Sequence, residues 1–294
     1  MGIRTKVLVA FAVASLAWAG RCLAADADPL VEKTTALEKK VEADVAAKTA
    51  EALVADATAA ADLYKEAEGK DALRDRALSI LGTLSRVRDD GVVKASIGAL
   101  GDLGDLRGAR YLRGNLKVSD DGKVSAALEA SLDAAKKLPE SSLVEPLLAI
   151  VDASKNYTLA AKAIEVLGAF GAVKNKREKI LTELTKTVAK SRPGAKGKYG
   201  SGAGTGEGNT NPNPNGEGGS GEGSGYGTSN QPNSARWPAL AAALPGALNA
   251  LTGSSQGTAE DWIAQVKEHK DNLKVLFVGD GSKSDKPDAK PDAK

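Results

Sequence analysis

The sequence predicts an all-α fold, a stack of about four helical hairpins preceded by a long Ala-rich helix and closed by a tryptophan-containing cap. Three observations lead there. An acidic or polar turn followed by an apolar helix ending in a small residue recurs from Asp89, Asp120 and Lys155, a period of about 31 to 35 residues, and such periods mark hairpin units that bury their apolar faces only by stacking on neighbours. Apolar residues make up 42% of the 294 residues but aromatics only 4%, and a core of Ala and Leu suits closely packed helices better than sheets. Finally, residues 30–68 contain neither Pro nor Gly and are rich in Ala, Glu, Lys and Leu, a strong helix preference when summed over such a window.

Residues 1–24 stand apart as a secretory signal. Arg4 and Lys6 form a positive start, Val7 to Ala19 is an apolar run broken only by Ser15, and Cys22-Leu23-Ala24 offers small residues where a signal peptidase reads, placing cleavage between Ala24 and Ala25. As an uncleaved anchor the run falls short of the ~20 residues that span a bilayer. Lipid attachment through Cys22 is an alternative, but Arg21 stands where a lipobox carries Gly, Ala or Ser. An exported protein, periplasmic or extracellular, is expected. Cleavage removes Arg4, Lys6 and Arg21 and no acid, which lowers the formal charge from +2 by three to −1. That balance offers a phosphate backbone no electrostatic footprint, so no nucleic-acid partner is expected despite a whole-chain pI of about 8.4. Cys22, the only cysteine, leaves with the signal, so disulfides contribute nothing.

Residues 25–70 read as a short polar lead-in ending at Pro29 and then one long helix, with Leu30, Thr34, Leu37, Val41, Val45, Ala52 and Leu53 on a thin stripe and Gly69-Lys70 as its end. Residues 71–192 hold the repeats. Asp71 to Val87 and Val92 to Gly104 form the first pair, Leu106 to Val118 and Lys123 to Leu138 the second, Ser141 to Ala153 and Tyr157 to Gly171 the third, and Asn175 to Arg192 opens a fourth. Val93, Val124 and Leu159 correspond between units, as do Leu100, Leu132 and Leu167.

Within the first pair, the run from Asp90 through Val92-Val93-Lys94 to Ala99-Leu100-Gly101-Asp102-Leu103-Gly104-Asp105 resembles the second helix and exit turn of a HEAT-type repeat. The turn Asp can cap the second helix, a basic residue one turn on can reach an Asp of the next unit, and small residues permit close approach. Ser125 and Ala160 replace Lys94 in the later units, so the charged ladder between repeats is expected to be broken, with apolar burial of ~1.5 to 3 kcal/mol per large side chain outweighing it.

Residues 193–234 are mostly Gly, Ser, Asn, Pro and Glu and offer too little apolar surface to offset ordering entropy of ~1 to 2 kcal/mol per residue, so a disordered insertion is expected. Beyond it, residues 235–280 resume helical spacing. Ala235 to Leu251, kinked at Pro245, supplies the missing second half of the fourth hairpin, and Thr258 caps a last helix carrying Trp262 and running to about Leu273. Val275 to Val278 is expected to be extended, and residues 281–294, with their Lys-Pro-Asp-Ala repeats, form a solvated tail. The run Ala247 to Gly253 followed by Trp262 is similar to the closing segment of exported bacterial HEAT-like proteins.

Catalytic chemistry is not expected. The mature chain has one histidine, His269, among Lys267, Glu268 and Lys270, where a solvated side chain is the simplest reading, and no metal-ligand spacing. The carboxylate pairs Asp89-Asp90, Asp120-Asp121 and Asp102/Asp105 recur at turns and read as caps. Trp237 and Trp262 read as cap filling in preference to exposed partner contacts. Bilin lyases exist among HEAT-like proteins, but no distinctive site residue here supports a chromophore-handling role. The expected function is a non-enzymatic scaffold without cofactor or metal, binding a protein partner of the envelope along the second helices through residues the sequence does not identify. Alternatives are a spacer that self-associates through the helix from Leu30 to Glu68, or an accessory subunit of a secreted enzyme.

Overall fold

The computed structural model describes residues 28–119, 124–193 and 235–278. The chain is all-α: the described residues form eleven α-helices and short 3-10 turns, with no strand among them. Two compact units divide it, Met1–Leu103 and Gly104–Lys294.

The first unit contains α1 (Pro29–Ala47), α2 (Ala50–Glu66), α3 (Asp71–Leu84) and α4 (Asp90–Leu103). Asp28 starts α1 by accepting the Leu30 N–H at 3.0 Å, with Pro29 in the first turn where its missing donor costs nothing. The single helix expected over residues 30–68 is instead an antiparallel pair. The chain turns at Lys48, the only described non-glycine residue with positive φ (58°), and Lys33 meets Glu66 at 2.6 Å while Lys40 meets Asp56. A left-handed lysine costs roughly 1 to 2 kcal/mol. Burial of Val41, Leu53, Ala57, Ala60 and Leu63 offsets it, because the two halves pack on each other. α2 packs on α3 and α4, and α1 on α3. The ion pairs Asp28 to Lys70 and Glu38 to Arg76 ascend together, so α1 and α3 run in the same direction.

Asp89 caps α4 by accepting the Val92 N–H at 3.0 Å, the capping role its turn position predicts. Lys94 is exposed and finds no carboxylate among the described residues. Asp89→Ala is expected to lower stability by about 1 kcal/mol in urea denaturation, the usual cost of a lost cap.

The second unit contains α5 (Ala109–Leu112), α6 (Ala126–Lys137), α7 (Val144–Ala153), α8 (Tyr157–Gly168), α9 (Arg177–Lys190), α10 (Arg236–Thr252) and α11 (Ala259–Glu268). α7 pairs with α8 and α9 with α10; α6, α8 and α10 lie in succession, as do α7, α9 and α11. Ser125 and Asn156 cap α6 and α8 through the N–H groups of Leu128 and Leu159, each at 3.1 Å. α10 packs most extensively on α8; Gly168 at the end of α8 and Gly171 in the 3-10 turn that follows it face the backbone of Ala247 and Ala250 in ascending order, so these two helices also run parallel.

Three expectations need correction. The helix from Leu106 to Val118 is only a 3-10 turn and the four residues of α5, since Asp105 takes the Arg107 N–H at 2.9 Å and Gly108 and Gly114 bound the segment, leaving Leu116 to anchor it by burial. Pro245, expected to kink the helix, lies inside a continuous α10; the flanking Leu244, Ala247 and Leu248 are buried and hold both halves in place. The last helix stops at Glu268, and Leu273–Leu276 is a 3-10 turn. Only then does the chain extend, with Phe277 under the Arg177 guanidinium at 4.9 Å and the Val278 N–H donated to the Thr252 carbonyl at 2.8 Å. Ala24, Ala25, Asp120, Asp121, most of the Gly-rich insertion and the Lys-Pro-Asp-Ala tail lie outside the described residues.

Candidate functional site

The candidate surface lies on the second unit, where the successive helices α6, α8 and α10 each bury one side and present another. On α6 the exposed residues are Glu129, Asp133, Lys136 and Lys137, and on α8 they include Thr158 and Glu165 beside the half-exposed Lys162. Lys162 pairs with Asp133 at 2.8 Å, so α6 and α8 are bridged by charge although Ser125 and Ala160 stand at the ladder positions. Exposed as it is, that bridge contributes little stability and mainly fixes side-chain positions.

α10 differs from both. Its exposed residues are Pro238, Ala242, Gly246 and Ala250, four apart and without charge. The only charged side chain of α10, Arg236, turns away and donates from Nη2 to the carbonyls of Val151 and Asp152, each at 2.8 Å, satisfying the C-terminal end of α7. The surface therefore passes from mixed charge on α6 to small neutral side chains on α10. Such a gradient can orient a partner by charge at one edge and admit close backbone approach at the other.

A second concavity lies between α7 and α9. It measures about 400 Å³, with Leu148 and Ala149 beside Glu145, Asp152, Lys179, Glu183, Thr187 and Lys190. Lys179 closes one end on Glu145 at 2.5 Å. Its lining alternates in sign and offers no nucleophile paired with a base.

The singled-out residues fall as follows. Asp89 and Asp105 are caps, Asp105 also binding the Arg107 guanidinium at 2.6 Å. His269 ends α11, half-exposed, its N–H donated to the Gln265 carbonyl at 2.9 Å. Among the described residues no group of three His, Cys, Asp or Glu is placed to hold a metal, and no helix is long and apolar enough to cross a membrane. Trp262 is fully buried, whereas Trp237 is half-exposed under the Arg192 guanidinium at 5.1 Å. Glu140 loses solvation by burial, yet the donors of Ser142 and Ser141 outweigh this and hold its carboxyl below the ordinary glutamate range.

Two features escaped sequence reading. The neutral stripe of α10 was signalled by small residues at i, i+4, i+8 and i+12. The cluster of Lys40, Asp44 and Asp56 in the first unit had no local signal, because it forms only when the chain reverses at Lys48. No protein-family model matches this chain, and no curated protein matches it.

Proposed function

We propose that the chain is a non-enzymatic, exported HEAT-like α-solenoid that acts as a scaffold of the cell envelope or periplasm, binding a protein partner along the face of its second helices. One observation carries the reading: in the second unit α6, α8 and α10 follow one another on one side while α7, α9 and α11 follow on the other, the arrangement of hairpins added in consecutive order. A repeated surface of this kind gives a large contact area without any reactive group. The self-associating spacer is the less favoured reading, because the segment from Leu30 to Glu68 folds back on itself at Lys48 and spends part of its apolar stripe on that internal contact.

The partner contacts α8 and α10. A photoreactive side chain at Ala242 or Glu165 of the full chain, expressed in its host, should give one discrete heavier adduct, and the same probe at Thr182 on α9 none. Adducts of equal yield from all three positions, or none from any, would remove the proposal.

A further inference from the structure

Helix α1 is held differently from the helices beside it. Of its residues only Thr34 and Val41 are buried, against six in α2 and seven in α3. Charge supplies what apolar contact lacks. Lys33 meets Glu66 at 2.6 Å, Arg76 grips Glu38 through both nitrogens at 2.9 and 2.6 Å and Thr35 at 3.0 Å, Lys70 meets Asp28, and Lys40 meets Asp56. The pair of Lys33 and Glu66 is 55% and 45% exposed and is open to screening by salt.

The last pair is of another kind. Asp56 is 2% exposed, its Oδ1 accepts from the Lys40 ammonium, and its Oδ2 is buried with no hydrogen-bond partner. Lys40 also serves Asp44, at 2.9 Å, where α1 meets the Lys48 turn. Two carboxylates thus share one ammonium, and one of them has a buried oxygen that no protein group satisfies. An ionised group in that position costs free energy that hydration would return on opening.

We propose that α1 is a detachable strap whose clasp, made of Asp44, Lys40 and Asp56, is closed by a proton held on Asp56 and opened when that proton leaves. Protonated Asp56 can donate to Asp44 and leaves Lys40 a single carboxylate to neutralise. Burial pushes the Asp56 carboxyl above its ordinary range; Lys40 opposes this and Asp44 adds to it. The Asp44 carboxyl is held below its ordinary range by its bond to Lys40. For Asp56 the stabilisation is complete below its unfolded-state value and is lost as pH rises through the raised folded-state value. Asp44 acts oppositely, its contribution being lost only as pH falls through its depressed value, so the clasp is tightest between the two. The other charged groups on helices packed against α2 are Glu32, Lys33, Glu38, Lys39 and Glu42 of α1, Asp71, Arg74, Asp75 and Arg76 of α3, and Asp90, Lys94 and Asp102 of α4. Lys33 is engaged by Glu66 and Arg76 by Glu38, Arg74 lies over the Tyr64 ring at 4.8 Å, and of all the charged groups only Lys40 and Asp44 act on Asp56.

Hydrogen exchange on the full chain tests this. Corrected for intrinsic rates, protection of α1 amides should fall several-fold as pH is raised from the ordinary aspartate value of about 4 towards neutrality, and again in roughly 0.5 M salt, while α4 amides change less than about twofold. Asp56→Asn should abolish the pH response and keep the salt response. Asp44→Asn, which removes the like charge beside Asp56, should move the loss of protection to lower pH, and it carries the test alone if Asp56→Asn does not fold. A common pH profile for α1 and α4, or a profile moved by neither variant, would overturn the strap.

Discussion

Gly168→Ala is expected to destabilise the protein by about 2 kcal/mol or more, while Gly246→Ala stabilises it by roughly 0.5 to 1 kcal/mol, although each adds one methyl to a helix. At Gly168 the new Cβ would stand 2.8 Å from the Ala247 Cα and 2.9 Å from its carbonyl oxygen. Both are backbone atoms, so no rotamer change relieves the clash and α10 must move off α8. That interface is the most extensive between any two helices of the unit, and a rigid shift loosens contacts along its length. Gly246 lies on the exposed side of the same α10, and a Cβ there meets nothing within 4 Å. Alanine at that position keeps its better helix preference and its lower unfolded-state entropy at no steric cost. Urea midpoints of the two variants give the signs directly. Equal effects, or a stabilising Gly168→Ala, would mean that α8 and α10 do not approach as closely as described.

The all-α class was legible because composition, helix preference and repeat period all agree, and so were the caps at Asp89 and Thr258, whose side chains act on N–H groups three residues away. Local chemistry is readable when both partners share one short segment. The close approach at Gly168 was legible in kind, as a small residue ending an apolar helix, but its partner Ala247 lies across the Gly-rich insertion, at a distance no period can set. The break at Lys48 was hidden for the opposite reason. Every local preference over residues 30–68 favours continuing the helix, and the turn arises because α1 and α2 cover each other and α3. Everything that depends on that reversal was hidden with it, the shared ammonium of Lys40 above all. The neutral face of α10 follows from a different ambiguity. Small residues at helical spacing fit a buried contact as well as an open surface, and only the positions of α8 and α9 decide that Ala247 is inside and Ala250 outside.

Trp262→Ala is expected to cost about 4 kcal/mol, the largest loss from any single side-chain truncation in the second unit. Trp262 is the largest fully buried side chain and joins α11 to α10. Its indole N–H donates to Asn249 Oδ1 at 3.1 Å; the same oxygen accepts the Gln256 N–H at 2.9 Å, and Asn249 Nδ2 donates to the Gln256 carbonyl at 3.1 Å. One asparagine in the largely apolar α10 thus fixes both the loop leading to α11 and the ring that seats it. Truncation removes the ring's packing and leaves a cavity, but Asn249 keeps Gln256, so no orphaned acceptor adds to the cost. Trp262→Phe separates the two terms: most of the volume remains and only the N–H is lost, for a cost of roughly 1 to 2 kcal/mol. Because Phe277 and Val278 are tied to Arg177 and Thr252 rather than to the indole, the terminal segment stays anchored at those points when the ring is gone. The loss should therefore appear first as faster exchange of α11 amides and as a lower midpoint, with α8 and α10 still packed. A cost below about 1 kcal/mol for Trp262→Ala would show that α11 adds little to the unit and that the end of the stack closes by some other contact.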